Sequence, residues 1–298
     1  MNNRGSILIV VLIFTAVLAA GAVTLLNEVS NDLDWTQRLY QNNQASFYVH
    51  SALKYVKKII NDDNNGYDSD DDAWADLPSV PIKGGFISVQ VMPANAKIDI
   101  NEISSDDKAV EKRTVNALRQ ILSENDTDEN AVGYIREWID KKQKYDENYY
   151  QDRLPPYHPD KEPFYSLKEI DYVEGLDQFA EKFGSYFTVN GSQSININFA
   201  DKNTLEAYLP EVADAAGSII KYRKKHPFEN ITQLRNVPGV NDNQYLAIQP
   251  YITTTSDNFI IKIVVNFGKT EYNATALITR ENGQTKLAKY FEGKSSYE

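Results

Sequence analysis

The chain has 298 residues, with 42 acidic and 31 basic side chains and a formal net charge of -11, a balance that argues against a nucleic-acid backbone as its main partner. It holds no cysteine, so neither a disulfide framework nor a thiolate metal site is available, and His50, His158 and His226 are far apart in sequence, none in a metal-ligand spacing. The length accommodates an anchor plus one or two domains with real cores.

From Ser6 to Asn27 no side chain is charged, and Ile7 to Leu26 supplies the roughly twenty apolar residues that a helix needs to cross about 30 Å of hydrocarbon. A secretory signal peptide would place a small-x-small cleavage site after this core; here Arg4 and Gly5 come before it instead. Arg4 is expected on the cytoplasmic side and everything past Leu26 outside. Ala45, Val49, Leu53, Val56 and Ile60 recur at spacings of three and four. The helix is therefore predicted to continue as an amphipathic one that lays its apolar stripe on a sheet, until Asn61-Asp62-Asp63-Asn64-Asn65-Gly66 breaks it.

Asp62 to Asp76 reads as an acidic loop, in which Asp68, Asp70 and Asp72 are candidate ligands for calcium, a hard cation that takes six to eight oxygens. The spacing is not that of an EF-hand, and a merely solvated loop is the competing reading. Phe86–Met92 and Lys97–Asn101 alternate and predict a strand pair turning at Pro93-Ala94-Asn95. Three further strands are predicted at 258–267, 270–280 and 285–292, with Gly268 at one turn and the hairpin signal Asn282-Gly283 at the next.

Between these strands, Glu102 to Thr255 reads as helical and holds an internal repeat. One copy opens on Lys97-Ile-Asp-Ile-Asn101 and the other on Ser194-Ile-Asn-Ile-Asn198. Each continues through two helices to Glu162-Pro-Phe-Tyr-Ser-Leu-Lys-Glu169 or His226-Pro-Phe-Glu-Asn-Ile-Thr-Gln233, then to a glycine turn at Gly175 or Gly239. The units resemble helix-hairpin-helix or SAM-like folds. In their DNA-binding form the hairpin reads Gly-hydrophobic-Gly. This chain has Asp177 and Asn241 at the second glycine position, and only Lys221, Arg223, Lys224 and Lys225 cluster as cations, on one helix end. No nucleic acid is expected as partner. No nucleophile, acid–base pair or phosphate-cradling loop stands out, so no enzyme is expected either.

The short basic leader ending in Gly5 resembles a prepilin signal, which implies cleavage between Gly5 and Ser6 by a prepilin peptidase. Most pilins carry glutamate as the fifth mature residue, where this chain has Val10. With Arg136-Glu-Trp-Ile-Asp140, Asp146-Glu-Asn-Tyr-Tyr150, residues 162–169 and Ser194-Ile-Asn-Ile-Asn198, the whole chain resembles the minor pseudopilin K family of type II secretion. The resemblance implies an α+β fold: a pilin-like long helix on an antiparallel sheet, with an inserted helical domain of two repeats. The expected order is leader 1–5, membrane helix 6–26, helix, acidic loop and first strands 27–101, repeats 102–193 and 194–256, and closing strands 257–298. It implies a single-pass inner-membrane protein with its C-terminal domain in the periplasm. With I- and J-type minor pseudopilins it would cap the pseudopilus and help to start its assembly for export across the outer membrane. It also implies calcium at Asp140, Asp146 and Glu147, although Lys142 stands where the family commonly has a further aspartate. The alternatives are a minor pilin of a type IV pilus and a membrane-tethered DNA-uptake receptor.

Overall fold

The computed structural model describes residues 3–142, 144, 147–176, 179–268 and 270–293. The chain divides into two units, Met1–Ser51 and Ala52–Glu298. Helix α1 runs over Asn3–Asp62. No proline interrupts it and its one late glycine is Gly21, so nothing breaks the hydrogen-bond ladder before the Asn-Asp-Gly run. In the first unit every described side chain from Leu8 to Tyr40 is exposed, and the segment is long and apolar enough to cross a membrane.

In the second unit the remaining turns of α1 bury Leu53, Val56 and Ile60. Among the described residues the sheet has five antiparallel strands in the order β1-β2-β7-β8-β9. Strands β1 (Val80–Ile82) and β2 (Gly85–Pro93) precede the helical region. Strand β3 is Ile98–Asp99. Helices α2 (Lys108–Glu124), α3 (Ala131–Ile139), α4 (Glu147–Gln151) and α5 (Ala180–Tyr186) follow, with β4 at Phe187–Thr188. The second copy holds β5 (Ile195–Asn196), α6 (Lys202–Tyr208), α7 (Ala216–Arg223), α8 (Asp242–Ile248) and β6 (Ile252–Thr253). Strands β7 (Asn258–Phe267), β8 (Thr270–Glu281) and β9 (Gln284–Glu292) close the chain.

Alternation sets the buried face: Phe259, Ile261, Ile263 and Val265 on β7 lie between Ile87 and Val91 on β2 and Ala274, Ala276 and Ile278 on β8. The backbone N–H of Thr285 donates to Asn61 Oδ1 at 2.8 Å, which ties the end of α1 to the start of β9.

The expected pairing of 86–92 with 97–101 does not form. Pro93 and a 3-10 turn at Ala94–Ala96 redirect the chain, and β2 pairs instead with β1 and with β7, through Ile87↔Val265 and Val91↔Ile261. β7 offers a ten-residue strand with a continuous buried apolar face, which the short segment just past that turn cannot match. β1, not foreseen, closes the edge across Lys83-Gly84, where Gly84 has φ +86°. Segment 97–101 contributes only β3, which runs parallel to β4.

Because Pro93 pairs with Phe259, residues 94–257 leave and re-enter the sheet at neighbouring strand ends, and the sheet stays unbroken. The insert repeats itself down to single hydrogen bonds. β3 pairs parallel with β4, and β5 with β6. Asn101 Oδ1 accepts from Phe164 N at 2.8 Å while its Nδ2 donates to Phe164 O at 3.1 Å. Asn198 does the same to Phe228, at 2.8 and 2.9 Å. The backbone N–H of Tyr165 donates to Glu169 Oε1, and that of Glu229 to Gln233 Oε1. Gly175 and Gly239 both adopt positive φ, +77° and +93°. Each copy is thus an asparagine clamp on a Pro-Phe turn, followed by a short helix and a glycine hairpin.

The copies are cemented by Arg113 on α2. Its guanidinium forks onto Glu211 at 2.6 and 2.9 Å, donates to Tyr208 O at 2.7 Å and lies 4.0 Å from the Tyr251 ring centroid.

Candidate functional site

The acidic loop folds back on itself around Trp74, a fully buried ring stacked 5.6 Å from Phe199 and edge-on 5.1 Å from Phe259. That anchor gathers Asp63, Asp68 and Asp72, whose carboxylate oxygens approach within 4.8 Å of one another. Trp74 Nε1 donates to Asp63 Oδ2 at 2.8 Å. Asp72 accepts from Asn65 Nδ2 at 2.6 Å and from Ser69 N at 2.7 Å. Asp68 is fully buried; its Oδ2 accepts from Arg280 Nη2 at 2.6 Å and from Ser256 N. Its backbone N–H donates to Thr254 O at 2.7 Å, and its carbonyl accepts from Asn198 Nδ2 at 2.9 Å. Its Oδ1 is buried and has no hydrogen-bond partner among the described residues. Burial pushes the Asp68 carboxyl up to about 6 although Arg280 pulls the other way, and burial raises Asp72 as well.

Of the three loop aspartates expected to act together, Asp70 stands apart. It is exposed and faces a cavity of about 120 Å³ with Asn198, Arg223 and Lys224. Asp63 joins the cluster instead. The sequence carries its signal in the acidic run, but nothing local shows that the chain doubles back on Trp74. Asp140 ends α3 and its Oδ1 accepts from Lys142 N at 2.8 Å. Asp146 lies outside the described residues, and of Glu147 only its place at the start of α4 is described. Gly5 and Ser6 lie in the first turns of α1, and Val10 is exposed.

The hairpin of the second copy engages its own polar groups. Asn241 is the N-cap of α8: its Oδ1 accepts from Gln244 N at 3.0 Å and its own N–H donates to Gln244 Oε1 at 2.9 Å. A free backbone N–H at that position is what a phosphate would need. Asp177 lies outside the described residues. In the cationic cluster, Arg223 donates to Ile197 O at 2.6 Å and Ala200 O at 2.7 Å, so it holds the strand–helix corner of its own repeat. Lys221, Lys224 and Lys225 remain exposed.

Residues 96–181 match the family model described as type II secretion system (T2SS), protein K, and residues 190–253 match that of the helix-hairpin-helix motif. The two matches fall on the first and second copies of the repeat. The fold is similar to a chain in the crystal structure of the GspK-GspI-GspJ complex from the enterotoxigenic Escherichia coli type 2 secretion system. The TM-score is 0.72 at 19% identity, over 87% of this chain and 99% of that one. No curated protein matches the chain in sequence.

Proposed function

We propose that this chain, which belongs to the type II secretion protein K family and is a minor pseudopilin, caps the tip of the pseudopilus and helps to start its assembly. The observation that carries the reading is the placement of the insert. Residues 94–257 hang from adjacent ends of β2 and β7, so a body larger than the sheet itself is added without disturbing a pilin-like strand order. A subunit carrying such a body at one end of its sheet obstructs the stacking of a further subunit there. The role is structural rather than catalytic, and the exported unit belongs in the periplasm, with α1 as a single-pass inner-membrane anchor.

Partner contacts fall to α1. Val29, Leu33, Tyr40 and Phe47 recur at spacings of four and seven and are 54 to 69% exposed, an apolar stripe suited to packing against other long helices. The solved complex of similar fold contains GspI and GspJ, and the corresponding I- and J-type pseudopilins are the expected partners of this stripe. Near the amino end, Val10 replaces a carboxylate that a shaft subunit would set against its neighbour's terminal amine. A tip subunit has no neighbour ahead of it, and Val10 leaves no charge unpaired in the membrane. Calcium at Asp140, Asp146 and Glu147 would pin the segment between α3 and α4.

The test joins Pro93 to Asn258 by a short turn in place of 94–257. Co-purification with I- and J-type partners should persist, whereas pseudopili should lose length control. Tyr40→Glu combined with Phe47→Glu should abolish the co-purification instead. Crosslinking that finds the unmodified chain along the shaft at major-subunit frequency would remove the tip assignment.

A further inference from the structure

The loop joining α1 to β1 carries more negative charge than its protein partners balance. Asp63, Asp68 and Asp72 bring three carboxylates within 4.8 Å, and among the described residues the cation bonded to them is Arg280, on Asp68. Three negative charges less one positive leave two. The hydrogen bonds to the cluster occupy Asp63 Oδ2, both oxygens of Asp72 and Asp68 Oδ2. They omit Asp68 Oδ1, which is buried and has no donor among the described residues. Asp68 cannot turn that oxygen to solvent, because its backbone is bonded to Thr254 and Asn198 and its other oxygen to Arg280 and Ser256. A buried carboxylate oxygen left without a donor is the costly case, and it asks for a positive partner.

We infer that Asp63, Asp68 and Asp72 form a binding site for a divalent hard cation of the calcium class, with Asp68 Oδ1 as its buried ligand. The donors are all oxygen; the chain has no cysteine and no histidine lies in the loop, which excludes the softer metals. Calcium tolerates the irregular six-to-eight-oxygen shells that such a loop can supply, where magnesium demands a compact octahedron. Water completes the shell from the Asp63 side, which opens on a cleft of about 360 Å³. Asp70 takes no part, since it faces Arg223 and Lys224. The bound ion joins the end of α1, strand β8 through Arg280 and the second repeat through Asn198 and Ser256. Its consequence is therefore mechanical: it locks the sheet to the insert.

The full-length protein in detergent micelles, stripped with chelator, is titrated with calcium chloride to about 1 mM, the range of extracytoplasmic calcium modules. Bound ions are counted and thermal unfolding is followed. Asp63→Asn and Asp72→Asn should each weaken one binding event by about tenfold or more and remove its share of the calcium-induced rise in Tm. Asp70→Asn should bind as the wild type does, and Asp140→Asn should leave this event in place, which separates it from any ion between α3 and α4. Asp63 is partly exposed and its substitution isosteric, so a folding failure of the Asp72 variant leaves the comparison standing. The inference is overturned if the wild type binds no calcium, if the Asp63 and Asp72 variants bind as many ions with equal affinity, or if Asp70→Asn loses the same event.

Discussion

Replacing Asn198 by alanine probes the joint on which the second repeat, the acidic loop and the sheet converge. The side chain is 2% exposed and makes three bonds: from Phe228 N at 2.8 Å, to Phe228 O at 2.9 Å and to Asp68 O at 2.9 Å. Each such bond is worth about 1 kcal/mol net, and removing one partner strands a group that water cannot reach, so the loss comes to about 3–5 kcal/mol. The unit from Ala52 to Glu298 is of a size at which each kcal/mol moves Tm by about 2–4 °C, and a fall of about 10 °C is expected. The equivalent Asn101→Ala removes two close bonds, at 2.8 and 3.1 Å, from a partly exposed site, and should cost only about 2 kcal/mol. Urea and thermal unfolding of the full-length protein in micelles, followed by tryptophan fluorescence, give both values. A loss below about 1 kcal/mol for Asn198→Ala, or equal losses for the two variants, would refute the claim that the clamp is a tertiary joint rather than a local turn.

Asp99 on β3 is pushed up to about 7 by burial, against an ordinary value of 3.8, so the folded chain holds a proton that the unfolded chain has already released. Stability should therefore decline as pH rises from about 4 to 7. Asp99→Asn, which copies Asn196 of the second repeat and keeps an acceptor for Asn101 N, should flatten that decline in Tm measured at pH 5 and 8. Arg113→Lys should cost about 2 kcal/mol in urea unfolding, because an ammonium cannot keep both the fork on Glu211 and the stacking on Tyr251. Gly239→Ala should cost about 1–2 kcal/mol through its φ of +93°, while Gly217→Ala, with open space around the new methyl in α7, should be neutral or stabilising. Intact-mass analysis of the membrane protein should show loss of Met1 to Gly5 and an amino-terminal Ser6; retention of Arg4 on most molecules would contradict prepilin processing.

Local chemistry made much of this protein legible in its sequence. An uncharged run of membrane length, the absence of proline through α1, and Asn282-Gly283 between two alternating segments each specify an element without reference to the rest of the chain. The repeat was legible for the same reason, since Ile-Asp-Ile-Asn and Ile-Asn-Ile-Asn, then Pro-Phe and a glycine, preserve a clamp whose parts must all be present for it to close. What the sequence could not decide was the partner of each element. Alternation makes 86–92 a strand, but only the long-range register selects β7, more than 160 residues on, over the segment just past the turn. Likewise a row of aspartates offers no ground for choosing Asp63 over Asp70. Trp74, buried between Phe199 of the insert and Phe259 of the sheet, folds the loop so that Asp63 turns inward while Asp70 faces Arg223. Periodicity is a property of neighbours along the chain, whereas burial and charge balance belong to groups brought together from distant parts of it, and the cluster is decided by the latter.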